Sequence, residues 1–212
     1  MSAIDILLIG AGGHAQSCID VIEHGGRFRI AGLLASAAEV GTTVLGYQVM
    51  GTDADLPSLR RRCRHVLIAV GQLRPSPLRM SLFAKAREAG FDLPAVIAAD
   101  AVVSRHAMLG AGSIVMHGAI VNAGARIGEN CIVNSNSLIE HGAVMGDHCH
   151  VATGAIVNGD AFMGGGSTLG SGSVVREGTR IGRDCLVGMG LAVRRDLPDG
   201  SVFTGHTKGG KA

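Results

Sequence analysis

The stretch Ile127–Val144, IGENCIVNSNSLIEHGAV, repeats one short pattern three times within eighteen residues. Steps of six from Ile97 to Val193 meet an aliphatic residue at all seventeen positions. A small residue stands four places after nearly every one of them, and a glycine, asparagine or aspartate directly precedes most of those small residues. A period of six sustained over residues 97–193 excludes an amphipathic helix and an ordinary sheet, and it indicates a repeat architecture.

Each hexad has the composition of a short strand followed by a corner. A small residue and the next aliphatic residue are two apart, so both side chains face the same side of a strand. Glycine, asparagine and aspartate tolerate the positive φ of a sharp bend, and from Gly112 to Gly190 only His148 interrupts this corner pattern. One set of glycines recurs every eighteen residues, which indicates three faces per coil: Gly110, Gly128, Gly146, Gly164 and Gly182. The predicted fold of this part is a parallel β-helix of hexapeptide repeats.

The first part of the chain has a different pattern, in which short apolar runs alternate with helical stretches. Strands are predicted at Ile4–Ile9, Arg29–Leu34 and His65–Val70, and helices from a glycine-rich turn to about His24, at Asp53–Arg64 and at Pro77–Ala89. This alternation predicts an α/β domain with a small parallel, Rossmann-like sheet. We place this domain at residues 1–94 and the β-helix, with a C-terminal tail that is a turn and then a loose end, at residues 95–212.

The composition excludes several classes of protein. Five cysteines are scattered without a CxxC motif, which argues against a disulfide framework and a zinc ribbon and favours a reducing compartment. A net charge of +2 with 3% aromatic residues argues against a nucleic-acid groove. No apolar run reaches the ~20 residues of a membrane span, and Met1–Asp5 lacks the basic region of a secretory signal. We therefore expect a cytoplasmic protein that binds neither nucleic acid nor a membrane.

The glycine-rich turn at residues 10–15, GAGGHA, has the G-x-G-x-x-A form between a strand and a helix. Glycines allow the backbone to approach a phosphate, and the free N–H groups at a helix start favour an anion. We therefore expect Gly10, Gly12, Gly13 and His14 to contact the substrate. The alternative is a tight strand–helix turn without a ligand.

The end of the second strand decides between two kinds of nucleotide. An NAD site requires an acidic residue there to hold the ribose. The sequence has Leu34-Ala35-Ser36 at this place, with no acid before Glu39. A dinucleotide oxidoreductase is therefore disfavoured, and a nucleotide-diphosphate group is the better ligand.

The β-helix carries one histidine in a distinctive position. His141 follows Glu140 at a corner, and Gly159 occupies the same corner one coil further on, so the imidazole is expected to be accessible beside bare main chain. The neighbouring column is polar, with Asn122, Glu140 and Asn158 in line. A carboxylate beside a histidine fixes its tautomer and raises its basicity, which favours a general base. The alternative is an ordinary surface histidine.

The triplet His148-Cys149-His150 suggests a metal site at first sight. Cys149 fills a small inward position whereas His150 is expected to point outward, so the three side chains would not converge on one ion. We therefore predict no metal here, interpret Cys149 as a core residue, and keep His150 as a candidate substrate contact.

The whole chain resembles a known family. Two independent sets of motifs carry the resemblance: the opening Leu8–Ala15 and, in the coils, Ile132–Ser135, Glu140-His141, Gly146-Asp147 and His150–Ala152. These are similar to the bacterial nucleotide-sugar acetyltransferases of the sialic-acid O-acetyltransferase-like, hexapeptide-repeat family. The resemblance implies a left-handed β-helix, a homotrimer with active sites between subunits, and acetyl-CoA in the groove between adjacent β-helices. It also implies a nucleotide-sugar on the N-terminal domain, a catalytic histidine matching His141 and an acidic neighbour matching Glu140.

The expected function is transfer of an acetyl group from acetyl-CoA to the amino group of a UDP- or GDP-linked amino sugar, a precursor of a surface polysaccharide. His141 would act as general base, and a main-chain N–H near Gly159 would stabilise the oxyanion. We place coenzyme contacts at Gly188 and Gly190. The chain departs from the family at Ala35-Ser36 and at Gly205–Lys208, where other residues are usual.

Three alternatives remain open at this point. The first is a sugar O-acetyltransferase of the same family. The second is a trimeric metalloprotein similar to γ-type carbonic anhydrase, for which His117, His141, His148 and His150 are available. The third is a nucleotide-sensing domain on a β-helix scaffold that binds no coenzyme A.

Overall fold

The computed structural model describes residues 3–74 and 76–204. The N-terminal part is a five-stranded sheet in the order β3-β4-β2-β1-β5, parallel except for the β3–β4 hairpin. Its strands are β1 (Ile4–Ile9), β2 (Phe28–Leu34), β3 (Thr43–Val44), β4 (Tyr47–Gly51) and β5 (His65–Ile68). Its helices are α1 (Gly13–Gly25), α2 (Leu56–Leu59) and α3 (Pro77–Glu88), with 3-10 turns at Ala37–Glu39 and Asp53–Asp55.

The alternation of β1 explains how this sheet is covered on both faces. Ile6 and Leu8 point to one face, where they join a buried cluster that extends into the β-helix at Ile114 and Ile132. The alternate residues of β1 point to the other face, where α3 packs through Phe83 and its neighbours. The cluster on the first face also contains the buried apolar residues of α1, so α1 and the β-helix together cover that face and α3 covers the other.

The predicted helix at Asp53–Arg64 is wrong in extent. The structure has only the 3-10 turn Asp53–Asp55 and the single turn of α2, which ends at Leu59. A continued helix would set the like charges of Arg60 and Arg64 one turn apart, which disfavours it. The β3–β4 hairpin was not predicted; its signal is Gly46, which takes a positive φ of 86° in the turn.

The second part is a three-sided prism of two-residue strands, in which neighbouring strands of a face are eighteen residues apart, except for the last pair of the first face, which is sixteen apart. The first face holds β6 (Val96–Ile97), β9 (Ile114–Val115), β12 (Ile132–Val133), β15 (His150–Val151), β18 (Thr168–Leu169), β21 (Leu186–Val187) and β23 (Val202–Phe203). The second face holds β7 (Val102–Val103), β10 (Ile120–Val121), β13 (Leu138–Ile139), β16 (Ile156–Val157), β19 (Val174–Val175) and β22 (Ala192–Val193). The third face holds β8 (Met108–Leu109), β11 (Arg126–Ile127), β14 (Val144–Met145), β17 (Phe162–Met163) and β20 (Arg180–Ile181).

The interior and the corners confirm the predicted fold class, an α/β domain followed by a left-handed β-helix of hexapeptide repeats. Aliphatic and small side chains alternate along the prism core, with Val133, Cys131 and Cys149 fully buried. The corner residues take positive φ, including the non-glycines Asn130 and Asp160.

His148, the interruption in the corner pattern, also takes a positive φ, of 59°. Two contacts hold it there. Its ring packs edge-on against Phe83 of α3, and its Nδ1 lies 3.0 Å from the Asn130 Nδ2. Packing of the N-terminal domain therefore supports a corner conformation that is unusual for histidine.

The tail is more ordered than the predicted loose end after Arg194. Leu197 bridges to Ile181, and β23 pairs with β21. Asp196 and Asp199 each accept a hydrogen bond of 2.8 Å from a main-chain N–H of the coil below. The tail thus adds a partial coil that covers the end of the prism. The departure at Gly205–Lys208 lies outside the described residues.

A buried arginine joins the two parts of the chain. Arg79 of α3 is fully buried, and its guanidinium donates to the carbonyls of Ile68 and Val70, both at 2.7 Å, and of Asn130 at 3.4 Å. Burial lowers its pKa to about 10. This role was not predicted, because nothing in the helical pattern of α3 distinguishes Arg79 from an exposed arginine.

Candidate active site

The exposed histidine stands at the corner where β13 ends. The side chain of His141 is 64% exposed, and its Nδ1 lies 3.2 Å from the Glu140 Oε2. The same carboxylate oxygen accepts from the main-chain N–H of His141 at 3.1 Å and from the Asn122 Nδ2 at 3.0 Å. These bonds, first that of the His141 main chain, then those of its imidazole and of Asn122, lower the pKa of Glu140.

This arrangement determines which nitrogen of the imidazole is available. An ionised Glu140 only accepts hydrogen bonds, so the His141 Nδ1 carries the proton that is donated to it. The neutral imidazole then presents its Nε2 lone pair to solvent, as a general base does. When Nε2 takes a second proton, the adjacent carboxylate stabilises the imidazolium.

Gly159 provides the space for this ring. A Cβ at Gly159 would lie 2.8 Å from both the Cε1 and the Nε2 of His141, so the imidazole rests against the bare main chain of the next coil. Any other residue would displace the ring. The structure thus places His141, Glu140, Asn122 and Gly159 together, whereas Asn158 donates instead to the Val175 carbonyl at 2.7 Å. The oxyanion role of Gly159 stays a prediction.

A second candidate region lies between the N-terminal sheet and the β-helix, as a cavity of about 880 Å³. The glycine-rich turn forms its floor. The N-cap Gly12 has no side-chain hydrogen bond, and no acidic residue lies in the first turn of α1, so the helix start is open to an anion. Gly10 takes a φ of 130°, and a Cβ there would lie 2.8 Å from the main chain of Ala69. Only glycine fits at that point between β1 and β5.

Two histidines face this cavity from opposite parts of the chain. His14 lies at the start of α1, and burial, then the charge of Arg79, lowers its pKa to about 3. Its Nε2 is buried without a hydrogen-bond partner among the described residues. His150 comes from the first face of the prism, and burial lowers its pKa to about 4.

His150 points outward from the prism, as predicted, but it is not exposed to solvent. The N-terminal domain covers it and leaves it 6% exposed. Its Nδ1 donates to the Gln72 carbonyl, and its Nε2 lies 3.3 Å from the Asn134 Nδ2. A sequence period predicts which side of a strand a residue occupies, but not which other domain packs on that side.

The remaining predicted sites lie apart from His141. Gly188 and Gly190 stand at the corner that follows β21, on the edge that also carries Asn134, whereas His141 stands on the next edge. Their contact with a coenzyme stays a prediction. Within residues 3–74 and 76–204, no group of three or more His, Cys, Asp or Glu side chains is placed to hold a metal ion. Cys149 is fully buried and its thiol donates to the Gly164 carbonyl.

Sequence reasoning missed several residues of the cavity wall. Glu39, Asp53, Gln72 and Asn134 all line it. The position of Gln72 had a signal, because it follows β5, and the carboxyl ends of parallel strands meet at one edge of a sheet. The others depend on loop paths and on the packing of the two parts, which the sequence pattern does not specify.

Comparison with known protein families gives three matches. The PglD N-terminal domain matches residues 5–84, the bacterial transferase hexapeptide (six repeats) matches 124–159, and the hexapeptide repeat of succinyl-transferase matches 163–195. A search of curated proteins found no match.

Comparison with solved structures finds similar proteins over nearly the whole chain. The H141N variant of perosamine N-acetyltransferase from Caulobacter crescentus, in complex with CoA and GDP-perosamine, is 36% identical with a TM-score of 0.87, over 92% of this chain and 90% of that chain. The acetyltransferase domain of PglB from Neisseria gonorrhoeae, in complex with acetyl coenzyme A, is 30% identical with a TM-score of 0.86, over 93% and 94%. WeeI from Acinetobacter baumannii is 23% identical with a TM-score of 0.80, over 93% and 95%, and shares the fold.

Proposed function

We propose that this chain, which belongs to the CoA-dependent acetyltransferases built from a PglD-type N-terminal domain and hexapeptide repeats, transfers an acetyl group from acetyl-CoA to the amino group of a nucleotide-linked amino sugar. The observation that carries the proposal is the exposed imidazole of His141, oriented by an ionised Glu140 and resting on Gly159. The structural relative that binds CoA together with GDP-perosamine supports this substrate class.

The reaction proceeds by direct attack of the amine on the thioester. The sugar nitrogen forms a bond to the acetyl carbonyl carbon, the carbon–sulfur bond breaks, and the excess proton on nitrogen passes to the His141 Nε2. Coenzyme A leaves as a thiolate, whose pKa near ~8.5 makes acid assistance unnecessary. Glu140 stabilises the imidazolium, and the main-chain N–H near Gly159 stabilises the oxyanion.

The cavity of the N-terminal domain holds the nucleotide-sugar in this proposal. Its diphosphate binds the open N–H groups of α1 beside Gly10, Gly12 and Gly13, where the positive end of the helix dipole favours an anion. His14 and His150 contact the diphosphate or the sugar as neutral hydrogen-bond partners. Asn122 and Asn158 contact the acceptor beside His141.

A homotrimer completes the site. The cavity and His141 of one chain lie on consecutive edges of the prism. These edges are six residues apart along the chain, which corresponds to a distance of at most about 20 Å. On the second face between them, the outward residue of every two-residue strand is apolar: Val102, Ile120, Leu138, Ile156, Val174 and Ala192. A second copy packed there would bring its own edge to His141, with acetyl-CoA, contacted at Gly188 and Gly190, in the groove between two prisms.

The state of the cysteines supports the proposed compartment. All five cysteines are free, which supports the proposed reducing cytoplasm. Among the described residues, no helix has the length and apolar character needed to cross a membrane.

A thiol-release assay with acetyl-CoA and a panel of UDP-, GDP- and dTDP-linked amino sugars tests the activity. We expect release only with an amino sugar, and mass spectrometry should find the acetyl group on its nitrogen. Acetylation of the matching hydroxyl sugars instead would favour the O-acetyltransferase alternative. Absence of release with the whole panel, together with stoichiometric zinc in the purified protein, would contradict the proposal.

Light scattering tests the trimer, with an expected mass three times the 21.6 kDa of one chain. Ile156→Arg on the second face should yield monomers, and the matched Val144→Arg on the third face should leave the mass unchanged. A wild-type monomer with full activity would exclude a site shared between copies.

A further inference from the structure

The end of β2 lacks the acidic residue that holds a ribose in strand–helix nucleotide sites. Ala35 and Ser36 stand there, and both line the cavity. The structure nevertheless has a carboxylate at this place. Glu39 follows in a 3-10 turn and folds back, so that its Oε2 accepts from the Ser36 main-chain N–H at 3.1 Å and from the Ser36 hydroxyl at 2.5 Å.

This carboxylate has the properties of a ligand-binding acceptor. Both hydrogen bonds from Ser36 go to Oε2, so Oε1 keeps its lone pairs for a ligand. The bonds, first from the hydroxyl and then from the N–H, lower the pKa of Glu39, which stays ionised. Asp53 also lines the cavity, but its carboxylate lies 2.6 Å from the Lys85 ammonium, which neutralises its charge.

The position of Glu39 relative to the glycine-rich turn fits one part of a nucleotide. The Gly10 N–H donates to the Leu34 carbonyl at 2.8 Å, so the turn that receives the diphosphate and the end of β2 lie side by side. In a nucleoside diphosphate the ribose follows the diphosphate directly. Its 2′ and 3′ hydroxyls are hydrogen-bond donors, which a carboxylate accepts more strongly than a neutral group does.

We propose that Glu39, held by Ser36, replaces the missing acid of β2 and accepts hydrogen bonds from the ribose hydroxyls of the nucleotide-sugar. This inference rests on the proposed function, because it assigns the cavity to a nucleotide. It makes Ser36 a positioning residue and Glu39 a binding residue that selects ribose over deoxyribose.

Calorimetry with GDP, UDP and their 2′-deoxy and 3′-deoxy forms tests the proposal on the full chain. The wild type should bind the preferred ribonucleotide about 10- to 100-fold more tightly than at least one deoxy form, the usual range for a hydrogen bond to a charged group. Glu39→Gln should weaken ribonucleotide binding by the same factor and leave binding of that deoxy form unchanged. Ser36→Ala keeps the carboxylate but removes its hydroxyl partner, so it should lose part of the preference. Glu88→Gln, on α3 and away from the cavity wall, is the matched control and should bind as the wild type does.

The outcomes separate this inference from the proposed function. Tight ribonucleotide binding without discrimination, or discrimination that persists in Glu39→Gln, overturns the role of Glu39 and leaves the transferase proposal intact. Failure of the wild type to bind any of these nucleotides overturns the nucleotide site itself. A Glu39→Gln chain that binds deoxynucleotides normally shows that the cavity has kept its structure.

Discussion

The chain uses histidine in two contrasting environments. His141 is exposed on the edge of the prism and contacts a carboxylate. His14 and His150 face the cavity between the N-terminal sheet and the β-helix, where their charged neighbour is the buried guanidinium of Arg79. Proton exchange requires the first environment, in which an acid stabilises the protonated ring, whereas the second keeps both rings neutral. In the proposed function, the first environment serves proton transfer and the second serves ligand binding.

The largest expected effect comes from removing the exposed ring. His141→Asn should lower kcat by roughly 10²–10⁴, the usual range for a general base, because the amine then loses its proton acceptor. Nucleotide-sugar binding, measured by calorimetry, should stay unchanged. His106→Asn alters another exposed histidine of the β-helix and serves as the control. Near-normal turnover of His141→Asn would remove the base assignment.

The next effect tests the buried charge of Arg79, which lies near His14 and His150. Arg79→Met should reduce the free energy of unfolding by about 3 kcal/mol or more, because three buried carbonyls lose their donor at ~1–3 kcal/mol each. Urea denaturation measures it. Arg87→Met, which removes an exposed ion pair with Glu129, should cost less than ~1 kcal/mol. Equal losses of unfolding free energy in the two variants would show that the buried guanidinium of Arg79 stabilises the fold no more than an exposed one does.

Acidification should lower the free energy of unfolding through the two buried histidines, His14 and His150. The unfolded chain protonates His14 and His150 below their ordinary pKa of ~6.5, but the folded chain holds these pKa values at about 3 and about 4. Stability is therefore complete above pH ~6.5 and decreases as the pH falls toward 4, by up to about 1.4 kcal/mol per pH unit for each histidine.

Urea denaturation at pH 8, 6 and 5 measures this slope. His150→Gln removes one titrating group, so its slope should be smaller, while its difference from the wild type at pH 8 reports the lost hydrogen bonds alone. An unchanged slope in both His150→Gln and His14→Gln would show that these rings do not stay neutral in the folded chain.

The smallest expected effect tests the role of the Glu140 carboxylate beside His141. Glu140→Gln leaves the imidazole in place but removes the charge that stabilises its protonated form, so kcat should fall roughly tenfold to a hundredfold, part of the ~10²–10⁴ of a general base. The thiol-release assay measures it, and Glu129→Gln on another corner is the control. A loss as large as that of His141→Asn would mean that Glu140 does more than orient and stabilise the ring.

The sequence predicted the β-helix and the His141 edge because both depend on a local period. Inward positions, corners, the column of Asn122 and Glu140, and the place of Gly159 one coil beyond His141 all follow from counting in sixes. The sequence predicted only part of the cavity wall. The glycine-rich turn has its own local signature, but the covering of His150 and the burial of Arg79 result from the packing of two parts distant in sequence. Glu39 folds back to Ser36 in the S-x-x-E spacing of a capping box, which is a local signal, but its place at the cavity depends on the path of the loop.

The eighteen-residue register also limits how the length of this chain can change. One residue inserted or deleted within a strand of the prism would turn the following side chains of that coil outward and expose the aliphatic row. Insertion of a complete coil keeps every face aligned, since each strand pairs with its partner eighteen residues away. Such an insertion after Gly178 would lengthen the groove while leaving His141 and its neighbours untouched. Coil number can therefore vary in evolution or design independently of the edge that carries His141.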